Sequence, residues 1–189
     1  MSDPTTIPAS PAASAREPSS SPPWLDPAVL AATAGGIGRV PFAPGTFGAL
    51  LGLPLSLATA AGGGWIASRS IGIASAPVVE ALLVAAISAI GIPLCSRAAA
   101  ALGRKDPGTI ILDEVASMPL ALLVVPSAAR TPLALAVAFV LLRIFDIWKP
   151  FPCRQLERLP SGLGIMADDW GAAAWTALCL AAARWQHWI

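Results

Sequence analysis

The stretch Pro77–Cys95, which reads PVVEALLVAAISAIGIPLC, decides the fold because it is long and apolar enough to cross a lipid bilayer. Four more apolar segments surround it, at roughly 48–62, 111–126, 132–148 and 169–186. A membrane-spanning helix needs about 20 mainly apolar residues, so 77–95 and 169–186 are the most convincing spans. The pattern predicts an all-α fold, a small polytopic membrane bundle of about four or five apolar helices.

Composition supports membrane embedding and excludes several other classes of protein. The 189 residues are 56% hydrophobic, above the roughly 45–50% of ordinary soluble domains. Tryptophans mark the segment ends, as expected of an aromatic belt, at Trp65, Trp148, Trp170, Trp185 and Trp188. The formal net charge of +1, without a basic run, excludes a strongly basic nucleic-acid-binding protein. The three cysteines lack a Cys-x-x-Cys spacing, so no zinc knuckle is predicted.

The N-terminal residues differ from the rest of the chain. Residues 1–23 contain six prolines and six serines but no apolar run, which predicts a disordered tail and not a signal peptide. The membrane domain is therefore expected at 24–189. If all five apolar segments cross, eight basic residues lie on one side and three on the other. The positive-inside rule then places the richer side, which also carries the polar motifs, in the cytoplasm.

Carboxylates are concentrated in short polar stretches between the apolar segments. Asp113-Glu114 is predicted to open the third apolar helix, and Asp168-Asp169 the last one. Such acids could complement helix dipoles, but carboxylates beside hydrocarbon are costly unless they are paired or metal-bound. Oxygen ligands suit Mg²⁺, which usually bridges to substrate phosphate. Two acidic pairs on the same side of the membrane therefore indicate a metal–phosphate site. Asp106, in an Asp-Pro-Gly turn, could add a ligand to this site or be simply a turn residue.

Basic residues accompany the acids. Arg143 and Asp146 are three residues apart on one predicted helical face, and Lys149 follows one step further along. A simple ion network among these three residues is the alternative to a phosphate site. The glycine-rich stretch 35–48 contains Arg39, whose guanidinium could grip a phosphate, although this stretch could also be only a turn leading into the first apolar helix.

Several phosphatase chemistries do not fit the sequence. It has no Cys-x5-Arg loop and no Asp-x-Asp-x-Thr motif, and its single histidine, His187, is expected on the far face. With these phosphatase mechanisms excluded, the remaining one is metal-assisted hydrolysis through carboxylates. The alternatives are a non-catalytic, cation-binding membrane transporter or scaffold, and a soluble all-α phosphatase. Acids at segment ends argue against transport, which favours acids near the bilayer midplane.

Four motifs in a fixed order carry a resemblance to a known family. They are GRVPFAPGTFG at 38–48, KDPGTIILDEV at 105–115, RIFDIWKPFP at 143–152 and GLGIMADD at 162–169. Together they resemble phosphatidylglycerophosphatase A, a family of bacterial membrane lipid phosphatases. The chain departs from the family pattern at Ala116-Ser117-Met118 and at Trp170-Gly171. Neither departure removes a carboxylate, so we expect them to affect helix packing or acyl-chain fit.

The resemblance implies a Mg²⁺-dependent removal of the terminal phosphate of phosphatidylglycerophosphate, a phospholipid substrate, to give phosphatidylglycerol. It also implies a multi-pass protein of the bacterial inner membrane, whose active face we expect towards the cytoplasm. The residues expected to bind metal and act in catalysis are Asp113, Glu114, Asp146, Asp168 and Asp169. Those expected to bind phosphate are Arg39, Lys105, Arg143 and Lys149. Direct attack by water and a covalent aspartyl intermediate both stay open, as do the general base and the oligomeric state.

Overall fold

The computed structural model describes residues 22–69 and 75–188. Within these ranges the chain is all-helical and forms no strand, as predicted. The α-helices are α1 (Pro27–Ala32), α2 (Pro44–Arg69), α3 (Ala76–Ala101), α4 (Leu112–Leu122), α5 (Pro132–Trp148), α6 (Cys153–Leu156) and α7 (Ser161–Trp185). The predicted tail lies almost wholly outside the described residues and stays a prediction. Its last residue, Pro23, opens a short 3-10 helix, Pro23–Leu25.

Two helices of the described chain, α2 and α3, could cross a membrane by length and composition. Each has 26 residues, and is therefore about 39 Å long. α7 has 25 residues but does not reach their hydropathy, because it carries adjacent acids. α4 and α5 have 11 and 17 residues, fewer than a full crossing needs. The expected count of four or five apolar membrane helices is therefore not confirmed.

Small residues let the helices approach one another closely. A Cβ on Gly52 of α2 would lie 2.5 Å from the Cβ of Met118 on α4, so only glycine fits there. A Cβ on Gly63, further along α2, would lie 2.9 Å from the carbonyl oxygen of Ala76 at the start of α3. Close backbone approach through glycine is typical of helices packed in lipid. These contacts fix α2 against both α3 and α4.

A buried ion pair, which the sequence did not reveal, joins the helices at the end of the bundle where α4 finishes. Arg130, whose side chain is 0% exposed, donates to the Glu80 carboxylate at 2.7 Å. Its guanidinium also donates to the carbonyl oxygens of Ser56, at 2.6 Å, and Val125, at 3.1 Å. Thr59 adds a hydroxyl donor to Glu80 at 3.4 Å. This network connects α2, α3 and the loop before α5.

Candidate active site

Three carboxylates meet at the opposite end of α4. One oxygen each of Asp113, Glu114 and Asp169 lies within 4.8 Å of the other two. Asp113 and Glu114 occupy the first turn of α4, as predicted, and Asp169 projects from α7. We call these three residues the acid cluster. They come from the two acidic pairs identified in the sequence, Asp113-Glu114 and Asp168-Asp169, which lie more than fifty residues apart.

The acid cluster has buried oxygens that no protein group satisfies. Within the described part of the chain, Asp113 Oδ1, Glu114 Oε2 and Asp169 Oδ2 are buried and have no hydrogen-bond partner. Asp169 is 3% exposed. Buried polar atoms in native proteins almost always have a partner, and adjacent buried carboxylates also repel one another. An oxygen-only donor set with unsatisfied lone pairs fits a hard divalent cation such as Mg²⁺.

The prediction that Asp168-Asp169 starts the last helix is wrong. α7 begins at Ser161, so both acids lie two turns inside it. Gly162 and Gly164, which precede the acids, lie inside this helix. A Cβ on Gly162 would lie 2.6 Å from the backbone nitrogen of Ser96, so this glycine lets α7 pack tightly against α3. The packing draws Asp169 into the bundle, beside the start of α4.

Arg143 connects the acid cluster to Asp146. Its Nη1 donates to Asp146 across one turn of α5, the predicted local pair, and lies 3.9 Å from Glu114 Oε1. Asp146 also contacts Asp169, so it borders the cluster without being one of its three members. The Nε atom of Arg143 is buried and has no hydrogen-bond partner among the described residues. Arg143 therefore keeps a donor available for a bound anion.

The glycine-rich stretch has a packing role at this site. A Cβ on Gly45, in the first turn of α2, would collide with the Glu114 carboxylate and lie 2.9 Å from Arg143 Nη1. Gly45 therefore allows α2 to close over the acid cluster. Arg39 of the same stretch is exposed and stacks over Trp24, with its guanidinium carbon 5.8 Å from the ring centroid. Among the described residues, no ion pair joins Arg39 to the acids.

Lys149 holds Asp168 outside the acid cluster. It ends α5 in a left-handed conformation, with φ of 49°, and its Nζ donates to Asp168 Oδ2 at 2.8 Å. Glu157 Oε2 lies 3.1 Å from the same nitrogen. Partial burial disfavours the charged ammonium, but the bond to Asp168 and the attraction of Glu157 outweigh it and raise the pKa of Lys149 above its ordinary value. Lys149 is therefore a permanent cation beside the acids.

A basic cleft of about 450 Å³ opens next to Lys149. It is lined by Lys105, Ile147, Lys149, Arg154, Glu157 and Arg158. Lys105 and Lys149 were predicted phosphate ligands, and the structure brings them to one place. Arg154 and Arg158 were counted only as basic residues of the cytoplasmic side, since no sequence pattern shows that they converge on this cleft.

An apolar groove of about 550 Å³ lies on the other side of α6. α7 contributes Ala167, Trp170 and Ala174, and Phe151 lies in the facing loop. Trp175 Nε1 donates to the Phe151 carbonyl oxygen at 2.9 Å, which ties the loop to α7. Because Ala167 and Trp170 flank the two acids in sequence, the groove begins beside the candidate active site.

Comparison with known proteins assigns the family. Residues 30–184 match the family described as Phosphatidylglycerophosphatase A. A phosphatidylglycerophosphatase A from Haemophilus influenzae is 34% identical over 166 residues, 87% of this chain and 92% of the relative. The Escherichia coli protein of that name is 33% identical over 149 residues, 78% of this chain and 75% of the relative.

A third relative has a different name. A Bacteroides thetaiotaomicron protein named "Putative phosphatidylinositol-3-phosphatase" is 35% identical over 158 residues, 83% of this chain and 93% of its own length. No solved structure matches the chain. The chain belongs to the phosphatidylglycerophosphatase A family, which confirms the resemblance carried by its four motifs.

Proposed function

We propose that this chain hydrolyses the terminal phosphomonoester of phosphatidylglycerophosphate and releases phosphatidylglycerol and inorganic phosphate. The observation that carries the proposal is the convergence of Asp113, Glu114 and Asp169, with unsatisfied buried oxygens, in a member of a family named for this reaction. The reaction consumes one water, whose oxygen becomes part of the released phosphate when attack is direct.

Asp113, Glu114 and Asp169 would hold Mg²⁺, because their oxygens converge and lack protein partners. When bound there, Mg²⁺ supplies Lewis-acid stabilisation of phosphate charge and activation of water. Asp146 and Asp168 border the cluster and are bound to Arg143 and Lys149. Their negative charge keeps both cations in place beside the reacting phosphate.

Arg143 and Lys149 stabilise the negative charge of the phosphate. Arg143 has a buried Nε donor without a partner, and its side chain is only 17% exposed. Lys149 remains protonated because of its two acidic neighbours. Preorganised cations in a site shielded from water stabilise developing charge more strongly than the same groups in bulk solvent. Both residues therefore bind the phosphate and lower the barrier to its transfer.

We assign the protein to the bacterial inner membrane, as a multi-pass protein whose acid cluster faces the cytoplasm. The lengths and composition of α2 and α3 support the crossings, and the basic residues around the cleft support the orientation. The apolar groove supports a lipid substrate, since it offers a place for an acyl chain next to the acids. The phosphate would then be cleaved at the membrane surface.

Phosphatidylinositol 3-phosphate is the second candidate substrate, because the Bacteroides thetaiotaomicron relative is named for its hydrolysis. Both candidates are lipids whose headgroup carries a phosphomonoester and is linked to the glycerol backbone through a phosphodiester. The names of two relatives favour phosphatidylglycerophosphate.

The test is a lipid panel assayed with purified, detergent-solubilised protein. Phosphate release is measured from phosphatidylglycerophosphate, phosphatidylinositol 3-phosphate and phosphatidic acid, with Glu114→Gln protein as the control for contaminating phosphatases. We expect kcat/KM for phosphatidylglycerophosphate to exceed the other values by at least ~10-fold, a difference of about 1.4 kcal/mol. A larger value for the inositol lipid would transfer the assignment to that substrate. Mg²⁺ binding without phosphate release from any of the three would favour a transporter or scaffold.

A further inference from the structure

We propose that the basic cleft is a second phosphate subsite, which binds the phosphodiester of the lipid while its phosphomonoester lies at the acid cluster. This inference rests on the proposed function and extends it. It assigns a binding role to Arg154 and Arg158, and it explains how the protein would select lipids that carry two phosphates over those that carry one.

The charges of the cleft are the first support. Four cationic side chains and one acid line it, and the acid, Glu157, is bound to Lys149. Arg154 donates only a long hydrogen bond, 3.4 Å, to the carbonyl oxygen of Trp148. Within the described ranges, Arg154, Arg158 and Lys105 have no acidic partner. An anionic ligand would supply the missing countercharge, and guanidinium groups bind phosphate oxygens through paired donors.

Continuity with the acid cluster is the second support. Lys149 lines the cleft and also donates to Asp168, which directly precedes Asp169 of the cluster. The cleft therefore begins next to the place assigned to the phosphomonoester. In phosphatidylglycerophosphate a three-carbon glycerol separates the two phosphates, so a ligand of this kind can reach both places at once.

The two sides of α6 and the turn after it are the third support. Arg154 and Arg158, one turn apart, line the cleft, whereas Leu156 and Leu159 line the apolar groove. One short segment thus has cations on one side and hydrocarbon on the other. This is the arrangement expected where a chain lies at the boundary between headgroups and acyl chains. A lipid could place its diester and one acyl chain on the two sides of this segment.

The experiment compares an Arg154→Gln/Arg158→Gln double variant with Arg97→Gln. Arg97 is a matched control because it is an exposed cation, 72% accessible, near the same end of the bundle but outside the cleft. KM and kcat are measured with phosphatidylglycerophosphate in neutral detergent micelles and, in parallel, in anionic vesicles. Binding of phosphatidylglycerol, which has only the diester, is measured in excess chelator, and inhibition by inorganic phosphate is measured separately.

We expect the double variant to raise KM by at least ~10-fold and to weaken phosphatidylglycerol binding by a similar factor, because each lost contact is a charge-assisted hydrogen bond. We expect kcat to stay within about threefold of the wild-type value. Arg97→Gln should match the wild type. Unchanged KM and unchanged phosphatidylglycerol binding would overturn the inference. A defect seen only in anionic vesicles would show attraction to the bilayer surface instead, and an equal loss of inhibition by inorganic phosphate would show a free-phosphate site.

Failure of this inference can be distinguished from failure of the proposed function. If the wild-type protein released no phosphate from phosphatidylglycerophosphate, the function would be wrong, and the phosphatidylglycerol binding measured in chelator would still decide the role of the cleft. If the wild type were active and the double variant had an unchanged KM and unchanged phosphatidylglycerol binding, the function would stand and the subsite would be wrong.

Discussion

Asp169→Asn removes one charge from the acid cluster while nearly preserving the volume of the side chain. Asp169 is 3% exposed and lies within 4.8 Å of Asp113 and Glu114, measured between one oxygen of each. At that separation, and with an effective dielectric constant of about 20, each pair of ionised carboxylates repels by about 3.5 kcal/mol. Each pair is 4.8 Å apart or closer, so the figure applies to fully ionised carboxylates at the largest separation, and protonation relieves part of this repulsion.

The substitution should therefore change stability and turnover in opposite directions. Without metal, Asn removes the repulsion and so increases the free energy of unfolding. Each 1 kcal/mol of that increase raises Tm by roughly 2–4 °C for a domain of this size. With metal, the wild type gains stability through binding, and the variant, which has lost a ligand, gains less. Turnover should fall by at least ~10²-fold, on the scale of losing one electrostatic contact in the transition state.

The assay combines thermal unfolding in detergent, with chelator or with saturating Mg²⁺, and phosphate release from phosphatidylglycerophosphate. Asp106→Asn is the matched control, because Asp106 is exposed and is not one of the three converging acids. It should leave both Tm values and turnover unchanged. A folded Asp169→Asn protein that keeps more than a tenth of wild-type turnover at saturating Mg²⁺ would refute the ligand assignment, since a tenfold loss corresponds to only about 1.4 kcal/mol.

Three further predictions concern other parts of the molecule. Arg130→Met leaves Glu80 buried and unpaired, so the free energy of unfolding should fall by about 3–5 kcal/mol. Adding Glu80→Met should recover most of that loss. An unchanged Tm for the single variant would contradict the network. Ala174→Phe fills the apolar groove and should raise KM for long-chain but not for short-chain substrate. Ala182→Phe, outside the groove, should leave both KM values unchanged. Equal effects of Ala174→Phe on both chain lengths would argue against acyl binding in the groove. Deleting residues 1–22 should leave Tm and turnover nearly unchanged, because this segment lacks apolar area to offset its ordering entropy; loss of most activity in a well-inserted protein would show that the tail contributes to the site.

Features that depend on neighbours in sequence were predictable. Asp113 and Glu114 lie in the first turn of α4, and Arg143 pairs with Asp146 across one turn of α5. Both follow from apolar periodicity and from the spacing of side chains on one helical face. The helical class follows from composition and the length of the apolar segments. Local interactions determine these features, so the sequence contains the information needed.

Features that depend on a distant partner were not predictable. α7 begins one residue before Gly162, where the close approach to Ser96 of α3 leaves no room for a Cβ. Glu80 and Arg130 are 50 residues apart, and their pairing depends on how α3 packs beside the loop before α5. The basic cleft combines cations from the loop after α3, the end of α5, and α6 with the turn after it. Each of these requires the relative placement of helices, which periodicity does not determine.

One departure from the family pattern has a packing explanation. Ser117 and Met118 are fully buried on α4. Ser117 Oγ donates to the carbonyl oxygen of Glu114 at 3.0 Å, and Met118 packs against Gly52 of α2. Both residues therefore support the turn that carries the acids without reaching the acid cluster. Trp170, at the other departure, lines the apolar groove, and its indole nitrogen is buried without a partner in the described part of the chain.

The most direct test of the central claim is phosphate release by protein stripped of divalent metal. Purified protein is treated with chelator, its metal content is verified, and phosphatidylglycerophosphate is added before and after Mg²⁺ is restored. If the acid cluster binds the metal, the stripped wild-type protein should release negligible phosphate, and Mg²⁺ should restore release in full. In Asp169→Asn, Mg²⁺ should give no comparable recovery. Undiminished turnover by stripped wild-type protein would contradict the claim that these carboxylates act through a bound cation.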